Sequence, residues 1–169
     1  MPSACDATLL RTEAMLLNPS RDMLAQKTDA RFRLTEDLVD AEREFLVSLR
    51  TIYDIYARPL RKLCSISDDE QKQLFGGIEP ILSVSNMLLT KLEDALAAWD
   101  PHETKIGSLF SKQFWNQFDD YFRFFTHAKE LLREKQCRDE EFIEICKLRQ
   151  GAALHTIDSL LDLPMANLQ

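Results

Sequence analysis

The sequence predicts an all-α protein built as an antiparallel bundle of helices. Apolar residues recur at steps of three and four over long segments, the spacing that keeps one face of an α-helix against a core. The chain of 169 residues contains only 4 glycines and 6 prolines, so it has few of the residues that mark tight turns. Hydrophobic residues make up 45% of the sequence, which is enough for the core of one domain.

The first predicted helix spans residues 30–62 and opens with an acidic stretch. Glu36, Asp40, Glu42 and Glu44 are expected on a solvated face, where they can form surface pairs with neighbouring arginines. Residues 1–29 lack sustained periodicity, so we predict a flexible tail or a short helix outside the main fold. The apolar stripe of the first helix consists of Leu34, Leu38, Ala41, Phe45, Leu49, Ile52, Tyr56, Leu60 and Leu63.

The second helix has a recognisable beginning and an internal interruption. Ser67 and Glu70 have the spacing of a capping box, in which each side chain bonds the backbone N–H of the other residue, so the helix should begin at Asp68. Two glycines at residues 76–77 interrupt it, and Pro80 suits the first turn of a new segment. The apolar face of that segment consists of Ile81, Val84, Leu88, Leu92 and Leu96.

The third predicted helix spans residues 105–136, after a break at the Trp-Asp-Pro sequence of residues 99–101. It is the most aromatic part of the chain. Trp115, Phe122 and Phe124 lie off its main face, so we expect them to cover an adjacent segment or to be partly exposed. The core face consists of Ile106, Phe110, Phe114, Phe118, Tyr121, Phe125, Ala128 and Leu132.

The last part of the sequence is predicted to form two shorter segments. The first spans residues 139–150, and Gly151 separates it from the second, residues 154–163. Pro164 falls near the end of the chain. The apolar residues expected to be buried from the first segment are Phe142, Ile145 and Leu148.

Charge and cysteine spacing restrict the partners and the location of the protein. The net charge is −7 and the isoelectric point is about 5.0, which disfavours nonspecific binding to nucleic acid or to an anionic membrane. A partner with a basic or mixed surface fits better. Four cysteines without a Cys-x-x-Cys pair indicate reduced thiols, and neither a signal peptide nor an apolar stretch of membrane-spanning length is evident. We therefore predict a cytoplasmic protein without membrane insertion.

No constellation of residues indicates covalent catalysis or a metal site. His155 precedes Asp158 and Ser159 by three and four residues, but no oxyanion loop or strained nucleophile turn accompanies them. His102 and His127 lack the upstream glutamate that di-iron bundles use. A glycine-rich phosphate loop is also missing, so the chain is not expected to bind a nucleotide itself. We predict no catalytic residue, metal or cofactor.

Three blocks of sequence, taken in order, carry a family resemblance. The first has an acidic residue, two apolar residues, an Ala-Glu pair and an aromatic residue, followed later by Pro-Leu. The second contains Leu-Phe, an apolar helix and the sequence Ile-Gly-Ser-Leu-Phe, and the third is rich in leucine around a proline. The blocks are residues 37–60, 74–125 and 154–168. Together they resemble the Dbl-homology domain, the exchange module of guanine nucleotide exchange factors for Rho-family GTPases.

This resemblance implies an elongated helical domain whose partner is a Rho-family small GTPase. In the family, the module binds the GTPase, remodels its switch segments, disfavours the bound magnesium and nucleotide, and stabilises the empty form. Exchange then works through different affinities for two conformations and needs no covalent chemistry. The family's acidic residue that contacts the first switch corresponds to Asp37. The residues that the resemblance assigns to GTPase binding are Asp37, Glu36, Asp40, Leu163 and Asn167.

The third block departs from the family pattern. Ala166 and Asn167 replace the family's Gln-Arg, and Leu163 stands where many members have lysine. The sequence given ends at Gln169, before the second half of the long helix and the final helix of the family. The resemblance therefore implies weak exchange by these residues and leaves apolar groups such as Leu160 and Leu163 exposed for association with another chain. Two alternatives stay open: a noncatalytic interaction module derived from such a domain, and a generic helical scaffold.

Overall fold

The computed structural model describes residues 29–63 and 65–168, and these residues form helices and turns without a strand. The all-α prediction is therefore confirmed for the described part of the chain. The predicted tail lies outside it except for Asp29. In chain order the elements are α1 (Ala30–Thr51), a π-helical segment (Ile52–Ala57), α2 (Arg58–Lys62), α3 (Asp68–Phe75), α4 (Ile78–Ala97), a 3₁₀ turn (Ile106–Leu109), α5 (Lys112–Arg138), α6 (Glu140–Ala153) and α7 (Ile157–Ala166).

Helix α1 continues through the π-helical segment into α2, which confirms the predicted long helix. The side chain of Asp29 caps its start by accepting a hydrogen bond from the backbone N–H of Arg31 at 2.9 Å. The π-helical turns end at Ala57, just before Pro59. Proline has no N–H and crowds the preceding turn, which accounts for the local widening that periodicity alone did not predict.

The core lies where α1, α4, α5 and α7 pack together, with α3 and α6 packed on α5 at one end. Helices α1 and α4 run antiparallel, because Arg43 pairs with Glu93 at 2.7 Å while Arg50 binds Asn86 seven residues earlier in α4 at 3.0 Å. The largest fully buried side chains are Tyr56, Tyr121, Phe75, Phe142, Leu49, Ile52, Leu60, Ile66, Leu74, Ile78, Ile81 and Leu92.

The buried face of the first half of α1 is displaced by one residue from the predicted stripe. Leu34 is 67% exposed and Ala41 is also exposed, so their predicted burial is wrong. The predicted burial of Leu63, which follows α2, is wrong as well. The residues that are buried instead are Thr35, Val39, Glu42 and Leu46, whereas Phe45 and Leu49 are buried as predicted. One position corresponds to a rotation of about 100° around the helix axis. Helix α1 is covered by both α4 and α7, and their two contacts determine which face is buried.

The predicted starts and interruptions have mixed outcomes. Both hydrogen bonds of the Ser67–Glu70 capping box are present, at 3.1 and 2.7 Å. The glycine break is confirmed too, and a Cβ on Gly77 would overlap the ring of Phe124. The third helix does not begin at residue 105, because Ser111 caps α5 by accepting a hydrogen bond from Phe114 N–H, and only a 3₁₀ turn precedes it.

The C-terminal segments differ from the prediction in three respects. Gly151 lies inside α6, and the chain turns instead at Leu154, whose φ of 57° is left-handed. Leu148 is exposed, because the buried face of α6 carries only Phe142, Ile145 and Ala153. The expected exposure of Leu160 is also wrong, since α7 packs on the bundle and buries it, and Leu163 is half-buried against the core.

Replacing Phe118 by alanine should lower the free energy of unfolding by about 3 to 5 kcal/mol, because it leaves a cavity in the core. Phe118 is 3% exposed, whereas Phe122 on the same helix is 59% exposed and serves as the matched control. The Phe122→Ala variant should stay within about 0.5 kcal/mol of the unmodified protein. Urea unfolding followed by circular dichroism measures both, and equal losses for the two variants would contradict the assigned packing.

Candidate functional site

A shallow groove between α1 and α7 brings together two of the three sequence blocks. Its walls are formed by Ala41, Glu44, Phe45 and Ser48 of α1 and by Leu163, Ala166 and Asn167 at the end of α7. Two residues that the resemblance assigned to partner binding, Leu163 and Asn167, therefore lie beside α1. Their proximity depends on the fold, because more than a hundred residues separate them from α1 in the sequence.

The three acidic candidates of α1 lie on two different sides of the helix. Asp37 precedes Ala41 by one turn and is exposed on the same face as the groove residues, because residues four apart share a helix face. Asp40 instead accepts a salt bridge from Arg43 at 2.9 Å, and Arg43 also binds Glu93 of α4. Glu36 is exposed one turn before Asp40. The structure therefore groups Asp37 with the groove and places Glu36 and Asp40 toward α4.

Buried tyrosine hydroxyls hold α7 in place. Tyr121 of α5 donates to the backbone carbonyl of Leu161, and Tyr56 donates to that of His155, each at 2.6 Å. Burial raises the pKa of Tyr56 to about 12, and burial also raises the pKa of Tyr121. Both hydroxyls therefore stay protonated and act as donors at neutral pH. The sequence predicted that both tyrosines are buried in the core, but it did not predict their hydrogen bonds to the carbonyls of His155 and Leu161.

An ionic link also joins α5 to α7. The amino group of Lys129 lies 3.0 Å from carboxylate oxygens of both Asp158 and Asp162, and Gln136 donates to Asp158 at 2.6 Å. Burial alone would raise the pKa of Asp158, but the bonds from Gln136 and Lys129 outweigh it and lower that pKa. Lys129 was not singled out from the sequence, although it lies one turn after Phe125 on the side of α5 that faces α7.

The His155, Asp158 and Ser159 cluster is structural. Asp158 binds Lys129 and Gln136, and the Ser159 hydroxyl donates to the backbone carbonyl of Thr156 at 2.9 Å as part of the start of α7. Across residues 29–63 and 65–168, no group of three or more histidine, cysteine, aspartate or glutamate side chains is arranged to hold a metal ion. In the same residues, no helix has the length and apolar character needed to cross a bilayer.

Replacing Lys129 by methionine should loosen α7 without unfolding the bundle. The change leaves Asp158 partly buried without its cation, and the partial exposure of both aspartates limits the expected cost to about 1 kcal/mol. Amide hydrogen exchange in residues 160–163 should therefore be several times faster, while exchange in α4 stays unchanged.

The exposed Lys112 provides the control, because its change to methionine should leave exchange in α7 unaltered. The difference between the two variants should shrink in acid, since the lowered pKa of Asp158 means that its contribution is complete above its ordinary pKa of 3.8 and is lost as the pH falls below it. Equal exchange in α7 for both variants at neutral pH would contradict the role of Lys129.

Comparison with known proteins identifies a family. The RhoGEF domain model matches residues 34–169. Mouse Rho guanine nucleotide exchange factor 10 is 26% identical over 159 residues, which cover 89% of this chain and 12% of that protein. Human Rho guanine nucleotide exchange factor 9 is 28% identical over 160 residues, covering 88% of this chain and 31% of that protein. The chain thus spans less than a third of the length of either relative.

The fold has a counterpart among solved structures. A structure of the Vav1 exchange factor superposes with a TM-score of 0.67 at 22% sequence identity, covering 79% of this chain and 36% of that one. This likeness supports the elongated helical architecture. Because the domain model covers most of the sequence, the chain belongs to the RhoGEF, or Dbl-homology, domain family.

Proposed function

We propose that this domain binds a Rho-family small GTPase on the surface formed by α1 and the end of α7 and promotes release of its bound nucleotide. The observation that carries the proposal is that Asp37 lies on the face of α1 that forms one wall of the groove, opposite Leu163 and Asn167. Family membership supports it, and so do the names of the relatives, which are Rho guanine nucleotide exchange factors.

The proposed mechanism is a shift between conformations of the partner. A protein that binds the nucleotide-free form more tightly than the loaded form must favour release, by an amount equal to the difference between the two binding free energies. The groove offers the half-buried Leu163 and the buried ring of Phe45 next to exposed carboxylates such as Asp37 and Glu44. A GTPase segment with apolar and basic or hydroxyl-bearing side chains fits this combination, and the net charge of −7 favours its approach.

The proposal also places the domain in the cytoplasm, where such a partner would meet it. In this proposal the described residues supply the binding surface, and the partner contributes the nucleotide and the magnesium ion.

Asp37 is shorter by one methylene than the glutamate common at this position in the family. Replacing Asp37 by glutamate should therefore preserve binding, because the charge stays on the same face of α1.

Release of a fluorescent nucleotide from a panel of Rho-family GTPases tests the function. At micromolar protein, release should be faster than the intrinsic rate for at least one member of the panel, but only weakly, as the family resemblance implies. The Asp37→Ala variant should reduce that acceleration without any change in helicity. Intrinsic rates for every GTPase in the presence of folded protein would contradict the proposal, and so would binding without faster release.

Binding to the nucleotide-free GTPase tests the surface separately. Asp37→Ala should weaken binding by about 1 to 2 kcal/mol, roughly tenfold, because a charged contact at the interface is lost while the buried face of α1 is untouched. Asp120→Ala, at an exposed position on α5, should bind like the unmodified protein. Equal affinities for all three proteins in isothermal titration calorimetry would remove Asp37 from the interface.

A further inference from the structure

Glu42 is the one acidic side chain of the described residues that is fully buried, at 3% exposure. It projects from α1 toward Ser85 of α4, which is completely buried, and toward Asn167 at the end of α7. Within the described part of the chain, neither Oε1 of Glu42 nor Oγ of Ser85 has a hydrogen-bond partner at normal geometry. The expectation that Glu42 lies on a solvated face is wrong. A buried polar group without a hydrogen-bond partner costs stability, most of all when it is charged.

The surroundings of Glu42 favour its neutral form. Burial raises the pKa of its carboxyl group, and the neighbouring side chains of Ser85 and Asn167 offset only part of that effect. No charged side chain of α4 or α7 contributes in the described residues. Arg43, which follows Glu42 in the sequence, is turned toward Asp40 and Glu93 on the surface.

The end of α7 has few other polar links to the bundle. Tyr121 and Lys129 hold the helix at Leu161, Asp158 and Asp162. Beyond Asp162, among the described residues, the side chain of Asn167 beside Glu42 is the polar group that faces another element. Any change that exposes the Glu42 carboxyl to water must therefore move this end of α7 or separate α1 from α4.

We propose that Glu42 is a positioning residue that seats the last turn of α7 against α1 and α4 when its carboxyl is neutral and releases that turn when the carboxyl ionises. The inference rests on the proposed function for its significance, because the seated turn carries Leu163 and Asn167 beside the face of Asp37. Ionisation of Glu42 would then change the shape of the proposed GTPase-binding surface while leaving Asp37 itself unchanged.

The sign of the pH dependence follows from linkage. A carboxyl group whose pKa is raised in the folded state contributes stability that is fully present below its unfolded pKa, here 4.5, and is lost as the pH rises through the folded pKa. Glu70, Asp139 and Asp158 have lowered pKa values. The stability that these three carboxylates contribute is complete above their ordinary pKa values and is lost only as the pH falls below them. The two effects therefore occupy separate pH windows.

Amide hydrogen exchange of the free domain, corrected for the intrinsic rate at each pH, tests the inference. From about pH 5 to about pH 8, protection of the amides of residues 163 and 165–168 should fall severalfold in the unmodified protein. Glu42→Gln, which has nearly the same shape but cannot ionise, should keep that protection constant. Glu42→Ala should lower it at every pH, because the packing between the three helices is lost.

The exposed Glu141 of α6 supplies the control, and Glu141→Gln should reproduce the pH dependence of the unmodified protein. The same pH dependence in Glu42→Gln and in the unmodified protein would overturn the inference, as would constant protection in the unmodified protein. The measurement uses no GTPase, so its failure would leave the proposed function standing. Conversely, a failed nucleotide-release experiment would not alter the result of the amide hydrogen exchange measurement.

Discussion

The position of α7 depends on two hydrogen bonds from buried tyrosines, and the proposed surface depends on the position of α7. Tyr56 and Tyr121 each donate to a backbone carbonyl at 2.6 Å, one just before α7 and one in its middle. A buried hydroxyl without its acceptor costs about 1 to 3 kcal/mol, so a shift of α7 along the bundle is unfavourable at both points. This constraint holds Leu163 and Asn167 beside α1, where the groove forms.

Two helix boundaries were predictable from the sequence because their signals are local. The Ser67–Glu70 capping box and the glycine pair at residues 76–77 act through neighbouring backbone groups, and both appear as predicted. The buried face of α1 was less predictable, because α4 and α7 both pack on it from distant parts of the sequence. Gly151 shows the same limit, since α6 continues through a residue that would favour a break in isolation.

The candidate surface could be predicted only in part. The family resemblance assigned Asp37, Leu163 and Asn167, but their arrangement around one groove required the tertiary structure. The resemblance singled out Asp37 as the residue that contacts the first switch, and the expected surface pair of Asp40 with an arginine is present, with Arg43. Glu42 was missed because glutamate normally indicates solvent exposure. A signal existed, since Val39, Glu42, Leu46 and Leu49 have the spacing of one helix face and the other three residues are apolar.

A site-resolved map of the complex tests the central claim most directly. Backbone amide NMR signals of the domain would be followed as a nucleotide-free Rho-family GTPase is added. The account predicts changes concentrated in residues 37–48 of α1 and residues 163–167 at the end of α7. Changes centred instead on the exposed aromatic side chains Trp115 and Phe122 of α5, with the groove unaffected, would contradict it.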